Sequence, residues 1–570
     1  MTPIPLAWLA GSLCLAVFYA LSAPRPFPGY FNDDARHVLA ARAILHGNFD
    51  DETLPFKSPA TNLLPGYPLL LAPVLALGGI PAGSWLSVVF TLLAAACFWA
   101  LPRGRTRWAA VLFALHPLLV KHAASLMSEP AYLFWSLAAL AWLDRLEARP
   151  LAAFVCWVSF AAWIRPHGFL LAVAVLPYAL RRFPGRRAWA AGALAAGIMA
   201  APYARNFLLS GAPASYFGEI PETGGLLPAL GLLLETVKSN LGYYLENIPL
   251  TLVPWEALQG RVPAWLAGCA IWPALACGFW LCWRSPEREG LRPRLAYLVL
   301  YSGASLVWVN HSGRYLLPVL PLLYELLLAA ALKASRRGAA VLAAAICAAA
   351  LSGNVVQARR APSGGDASSR GPQRFFAWVR ADTSAEDVFV APYRQSFCLN
   401  TGRKAFDYFY YEDPDAFFEY LQSHDARYVV ADESRLRVPT VPSRGAQLDL
   451  HSAVMTERLR DSARFARVYA DAQERIAVFR VLPAPGFLAA RRRLAQIVGR
   501  LAERRPEETL RDLRRLERDG APLKRLDFLI GTTALLAGQR SQACLRLQRA
   551  SSAEPRFALA RANMSRACGD

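Results

Sequence analysis

From Met1 to about Ala358 the chain alternates between long apolar runs and short bursts of Lys and Arg. Few patterns restrict a fold more, because several of the runs reach the roughly 17–25 residues that cross a bilayer as helix. A backbone in hydrocarbon must satisfy its own N–H and C=O groups, and an unbroken run does so as a helix. Beyond Arg359 the charges are spread as in a water-soluble protein. Hydrophobic residues make up 55% of the 570 and charged residues only 18%, against roughly 25% charged in an average globular chain. A wholly soluble enzyme, a secreted disulfide scaffold and a disordered chain are excluded.

The first run, residues 4–23, ends in Ala20-Leu21-Ser22-Ala23, which imitates a signal-peptidase site; cleaved or retained, it exports the loop after it. Further spans are expected near 83–101, 107–124, 131–147, 150–164, 168–181, 188–204, 263–283, 294–310, 315–333 and 338–356. The stretch 63–80 carries three prolines and two adjacent glycines and reads as an interfacial or re-entrant segment. That leaves about eleven spans. One set of loops (102–107, 144–150, 181–187, 283–294 and 333–338) then holds sixteen Lys and Arg, while the short loops of the other set hold about one each. The positive-inside rule puts the basic set in the cytoplasm. The first loop (24–62), the loop near 205–262 and the C-terminal third fall outside. Counting 63–80 as a span would put the 102–107 cluster outside as well, which argues against doing so. The same rule accounts for the net charge of +20. No basic motif has a groove-reading element, so nucleic acid is not an expected partner. The absence of a C-x-x-C pair gives no support to a zinc ribbon or redox motif.

Ionisable groups at the edge of a membrane are expensive and read first as functional. Here they collect at the external ends of the spans: Asp33, Asp34, His37, Lys57, Lys121, His122, Glu129, Arg165, His167, Arg205, Asn206, His311 and Arg314. Lys121 and Arg205 read equally well as anchors that reach up to lipid headgroups. His116, beside Pro117, reads as a packing residue. Asp33-Asp34 opens a stretch in which Ala35, Leu39, Ala40, Ala43 and Ile44 recur at helical spacing. An amphipathic helix on the external surface is expected there. One Asp serves as its cap, which leaves the other carboxylate for chemistry.

The order of these pieces resembles the GT-C class of membrane glycosyltransferases. Bacterial members related to protein O-mannosyltransferases and to the lipid A aminoarabinose transferase are the nearest in pattern. The resemblance covers about residues 5–482 and rests on six pieces in order. They are Asp33-Asp34 with the tail Ala41 to Gly47, then Lys57 to Pro68, then Ser128-Glu129-Pro130. Arg165-Pro166-His167-Gly168, Arg205-Asn206 and Arg314-Tyr315-Leu316-Leu317-Pro318 complete the series. The family pair is usually Asp-Glu where this chain has Asp-Asp, and the second acidic site is often Asp where this chain has Glu129.

The resemblance implies transfer of a sugar from a polyprenyl-phosphate carrier to a hydroxyl on a glycan, lipid or protein. The setting is the external face of a bacterial inner membrane. Such a reaction needs a base for the hydroxyl proton, positive groups for the departing phosphate, and a site at headgroup depth. Asp33 or Asp34 supplies the base, with Asp33 favoured as the first of the pair. Glu129 orients the acceptor or holds the base through a shared cation. Lys57, Arg165, Arg205 and Arg314 are candidates for the phosphate, which arginine grips with two parallel bonds. His37, His167, Asn206, His311 and Tyr315 are candidates for substrate contacts. Direct displacement inverts the sugar carbon. A divalent cation between Asp33, Asp34 and Glu129 is a further option, although no ligand spacing demands one. Two other classes compete. A transporter or flippase of lipid-linked saccharides would carry ionisable groups through its spans, and a membrane scaffold presenting the C-terminal helices would leave the acidic pair unexplained.

Residues 359–371 read as a Gly/Ser/Pro-rich linker between the membrane domain (1–358) and the remainder. Residues 372–484 are expected to form a small external α/β domain. Its pieces are helices at FFAWVRA, DPDAFFEYLQSHDA and SAVMTERLRDSA and strands at DVFVAPY, RYVVADE, RFARVYAD and RIAVFRVLP. Asp413 caps the second helix, with Pro414 at its first position. No nucleophile–base pair or phosphate loop occurs there, so a lid or docking platform is the expected role. Residues 485–570 read as helical and tetratricopeptide-like, with 18 basic against 9 acidic residues from 487 onward.

Overall fold

The computed structural model describes 6–23, 27–101, 104–144, 151–182, 185–210, 226–254, 264–285, 288–308, 312–360, 372–407, 413–432, 458–499, 506–554 and 557–569. It divides into two compact units, Met1–Gln373 and Arg374–Asp570.

The described elements of the first unit are mainly helices: α1 (Leu6–Ser22), α2 (Asp33–Leu45), α3 (Gly66–Trp99), α4 (Gly104–Ala114), α5 (Pro117–Ala123), α6 (Ser128–Leu143), α7 (Leu151–Ile164), α8 (Gly168–Arg182), α9 (Arg186–Ser210), α10 (Leu226–Leu252), α11 (Ala264–Arg284), α12 (Arg288–Val307), α13 (Leu320–Ala334) and α14 (Arg336–Arg360). Among the described residues three stretches, Gly66–Trp99, Trp265–Arg284 and Arg336–Val356, are long and apolar enough to cross a membrane. Large apolar side chains such as Trp189, Leu208 and Trp265 stay exposed on the outside of these helices. That suits a surface wetted by lipid, since a water-facing surface seldom carries apolar patches of such extent.

Three sequence expectations change. The segment 63–80 and the span after it form one helix, α3, broken at Gly78 and Gly79, where Gly79 adopts φ 63°. A left-handed residue between two helical stretches needs glycine, so the glycines that suggested a re-entrant stretch instead make a kink. The loop near 205–262 contains the 27-residue α10. Its Asn240 donates to the carbonyl oxygens of Leu306 at 2.9 Å and Trp308 at 2.7 Å, which holds α10 at the C-terminal end of α12. Finally, α2 is buried on most of its circumference, with Arg42 and Leu45 the exposed positions, so it is wedged among helices and is not laid on a surface.

Small residues permit the tightest approaches. A Cβ at Gly168 would sit 2.2 Å from the backbone of Ala162, so α8 can start directly against the end of α7. This fixes the Arg165–His167 turn between them.

In the second unit α15 (Gln373–Asp382), β1 (Val388–Val390), α16 (Arg394–Thr401), β2 (Lys404–Phe406), α17 (Pro414–Ser423), β3 (Ala426–Asp432), β4 (Phe465–Asp471) and β5 (Ile476–Val481) build a five-stranded sheet of order β2-β1-β3-β5-β4. The β1–β2 and β1–β3 pairs are parallel and the β3–β5 and β4–β5 pairs antiparallel. Asp413 caps α17, accepting from the Asp415 amide at 3.0 Å. The short α16 and β2 have no counterpart in the sequence reading. The helix expected at SAVMTERLRDSA and the 361–371 part of the linker lie mostly or wholly outside the described residues.

Helices α18 (Phe487–Gly499), α19 (Pro506–Arg518), α20 (Leu526–Leu536), α21 (Arg540–Ala553) and α22 (Ala558–Cys568) complete the chain. They share a core of Leu510, Leu513, Ile530, Ala534 and Leu547, and a disulfide joins Cys544 on α21 to Cys568 on α22. They belong to the same compact unit as the sheet. The buried Asp415 accepts from Arg464 at 2.6 Å and from the amides of Lys524 and Arg525 at 2.7 and 3.3 Å, just ahead of α20. Arg491 on α18 pairs with Asp413 and Glu419 at 3.2 and 2.9 Å.

Candidate active site

The N-cap of α2 is Asn32 and neither aspartate, contrary to expectation; its φ of 61° lies in the left-handed region that asparagine tolerates better than most residues. Both acidic residues then fall in its first turn, where the helix dipole favours negative charge. Their surroundings separate them. Asp34 is buried and faces back into the preceding turn, accepting from the amides of Gly29 at 2.8 Å and Phe31 at 3.2 Å. Burial nonetheless raises its pKa, with those backbone donors pulling the other way. Asp33 is half-exposed and meets Nη2 of Arg314 at 3.0 Å.

Ser-Glu-Pro is a helix start. Pro130 falls in the first turn of α6, where no intrahelical donor is needed, and Glu129 sits beside it. Glu129 is 2% exposed and stands between two guanidiniums, Nη1 of Arg165 at 2.6 Å and Nε of Arg314 at 3.6 Å. Its charge holds both guanidinium pKa values above the ordinary arginine value despite their burial. Tyr315 shares the two cations, its ring centre lying 5.8 Å from the Arg165 guanidinium carbon and 5.4 Å from that of Arg314. The 3-10 turn Gly313–Leu316 presents this Arg-Tyr pair, and the Ser312 hydroxyl accepts from the Arg314 amide.

Asp33, Glu129, Arg165, Arg314 and Tyr315 line one cavity of about 200 Å³, together with Arg36, His37, Ser128, His167 and Trp308. Four separate connections, ahead of α2, α6 and α8 and after α12, therefore converge at one end of the helical unit. His37 packs edge-on to Tyr67 at 4.9 Å, and His167 lies 4.8 Å from the Tyr301 ring. Burial holds the first imidazole at about 4. Burial and the neighbouring Arg165 hold the second at about 3. Both rings are neutral at pH 7.

Other expected site residues lie elsewhere. Arg205 donates to its neighbour Asn206 at 2.8 Å and to the Phe49 carbonyl at 3.3 Å, with its guanidinium 4.9 Å from the Phe49 ring centre. It pins the loop after α2. Lys57 and Lys121 are exposed and do not line the cavity, and His122 is buried against Phe31. His116 caps α5, accepting from the Leu118 amide, and reaches the Thr251 carbonyl through its other nitrogen. His311 lies outside the described residues.

Sequence reasoning passes over Arg36 and Trp308. Arg36 lies three residues beyond Asp33, so helical spacing alone puts the two on one face. It also passes over Glu325, in mid-helix on α13, which pairs with the buried Arg294 at 3.2 Å while Arg294 also binds Asp144. This cluster ties α6, α12 and α13 together.

The carboxylates do not fit a cation. Asp33 faces Arg314, Asp34 faces backbone donors, and Glu129 is flanked by two positive groups. Among the described residues no group of three or more His, Cys, Asp or Glu is placed to hold a metal.

The structure of ArnT from Cupriavidus metallidurans bound to undecaprenyl phosphate covers 84% of this chain and 99% of its own, with a TM-score of 0.50 at 12% identity. The chain has the GT-C fold. The apo ArnT structure matches with the same coverage, a TM-score of 0.49 and 14% identity. The arabinofuranosyltransferase AftD from mycobacteria covers 84% of this chain and 40% of its own, with a TM-score of 0.40 and 18% identity. No protein-family model and no curated protein matches the sequence. The GT-C likeness is thus carried by the backbone, and the cavity residues come from this chain alone.

Proposed function

We propose that this protein is a membrane glycosyltransferase that moves a sugar from a polyprenyl-phosphate carrier to a hydroxyl on a glycan, lipid or protein. Its cavity and C-terminal third face the periplasmic side of the inner membrane. The observation that carries the reading is one half-exposed carboxylate, Asp33, bridged through Arg314 to a second buried carboxylate and a second arginine inside one small cavity. The fold shared with ArnT, a structure bound to undecaprenyl phosphate, adds to it.

In the proposed reaction Asp33 accepts the acceptor's hydroxyl proton as that oxygen attacks the anomeric carbon. The carbon–oxygen bond to phosphate breaks with its electron pair, and polyprenyl phosphate departs. Arg165 and Arg314 stabilise the charge that grows on it, and displacement from the opposite face inverts the sugar carbon. Glu129 is a positioning residue, since its two ion pairs keep the guanidiniums side by side against their mutual repulsion. His37, His167 and Tyr315 line the sugar side. A flippase gains nothing from the charges buried among the helices, because Arg294, Asp144 and Glu325 are paired with one another.

The test is analysis of envelope glycans from cells with the protein, without it, and with Asp33→Asn. Loss of the same product in the last two, at normal expression, supports the reading. An unchanged glycan profile in cells lacking the protein would overturn it.

A further inference from the structure

We infer that the sugar on the donor is a single uncharged monosaccharide, carrying neither an ammonium nor a carboxylate group. The inference rests on the reading above and derives from the charges that line the cavity. Arg36, Arg165 and Arg314 stand against Asp33 and Glu129. Three guanidiniums and two carboxylates leave one net positive charge. A phosphodiester linking a polyprenyl chain to a sugar carries one negative charge and balances it.

Nothing then remains to match a charged substituent. Both carboxylates are engaged, Asp33 by Arg314 at 3.0 Å and Glu129 by Arg165 at 2.6 Å. Oδ2 of Asp33 meets Arg314 and its other oxygen serves the acceptor hydroxyl, so an ammonium on the sugar would either block the base or displace a guanidinium. Arg36, the third cation, donates to the Asn62 carbonyl at 2.5 Å and does not meet a carboxylate there, so it repels an ammonium without offset. A uronic acid would add a negative charge beyond what the three arginines balance. His37 and His167 complete this side as neutral rings packed on Tyr67 and Tyr301, surfaces suited to the apolar face of a neutral sugar. The volume of about 200 Å³ is below the roughly 300–1,000 Å³ of sites that enclose a drug-sized ligand, which suits a single ring.

The experiment measures binding to the purified full-length chain in lipid nanodiscs. The probes are a short-chain polyprenyl phosphate without sugar and the same carrier bearing a neutral hexose, a neutral pentose, an amino sugar or a uronic acid. At least one neutral conjugate should bind about tenfold or more tightly than either charged one, a margin set by one unmatched charge in a partly dry site. Arg36→Gln removes one positive charge while leaving Arg165 and Arg314 in place, and should narrow the neutral-over-amino preference severalfold. Equal or tighter binding of the amino or acidic conjugate would overturn the inference and leave the glycosyltransferase reading standing. If no carrier binds, with or without sugar, both fail.

Discussion

Arg314 connects the two halves of the proposed chemistry, so its replacement is the most informative single change. Nη2 reaches Asp33 at 3.0 Å and Nε reaches Glu129 at 3.6 Å. One guanidinium therefore touches the base and the group that positions the second arginine, through two different nitrogens. Arg314→Ala removes a charge-assisted donor aimed at a developing negative charge, a loss of about 3–4 kcal/mol of transition-state stabilisation, or two to three decades in turnover. Arg314→Lys returns the charge on a single nitrogen that cannot make both contacts. We expect it to recover about half of that free energy. The assay is single-turnover consumption of a short-chain polyprenyl-phosphate sugar by purified variants supplied with envelope acceptor. A structural anchor would behave differently: its alanine variant would unfold more readily and turn over normally. Wild-type turnover in Arg314→Ala would refute the assignment and leave Arg165 as the leaving group's one assigned partner.

Asp34→Asn should lower stability by about 1–3 kcal/mol, because the carboxylate accepts from Gly29 and Phe31; a thermal melt that does not move would remove it from the loop's supports. Cysteines placed at Arg105 and Arg336 should label only from the cytoplasm and one at Asp366 only from outside; labelling of 105 and 366 from one side would refute the topology. His37, held near 4 against an ordinary 6.5, is bound to fewer protons folded than unfolded between those values. Its contribution is whole above pH 6.5 and is lost as pH falls toward 4, by about 3 kcal/mol, so His37→Gln should flatten the acid limb of a stability–pH profile. Replacing Cys544 and Cys568 by serine should destabilise the second unit by about 3 kcal/mol, as expected for a loop of this size, read by its melting temperature against the oxidised parent.

Much of the site is legible in the sequence because ionisable residues at the ends of apolar runs have few structural uses. Asp33, Glu129, Arg165, Arg314 and Tyr315 each stand out that way and share one cavity. Sequence favours Asp33 over Asp34 only by its place in the pair, since the physical difference lies in the turn at Gly29–Phe31 that folds back onto one of them. Nor can it distinguish Arg205 from Arg165, because Phe49, 156 residues earlier in the chain, decides where Arg205 binds. Helix α10 reads as loop because its Asn, Glu and Lys interrupt the apolar run. The polar Asn240 is tolerated there because its amide donates to three carbonyls at the end of another helix. The β2 strand is three residues long, too short for alternation to register.

The contacts of Asp415 bear on how the C-terminal third can be handled and inherited. Its two oxygens are shared between Arg464, on the sheet side, and the amides that open α20. Cutting the chain after the last strand would strip one oxygen of its donors while the other stayed bound, and would expose the α17 surface that Arg491 covers. Residues 374–570 therefore behave as one cassette. A truncation, a fusion or a natural exchange of segments that respects the boundary at 373 should transplant cleanly, whereas one made near 485 should destabilise the structure on both sides of the cut.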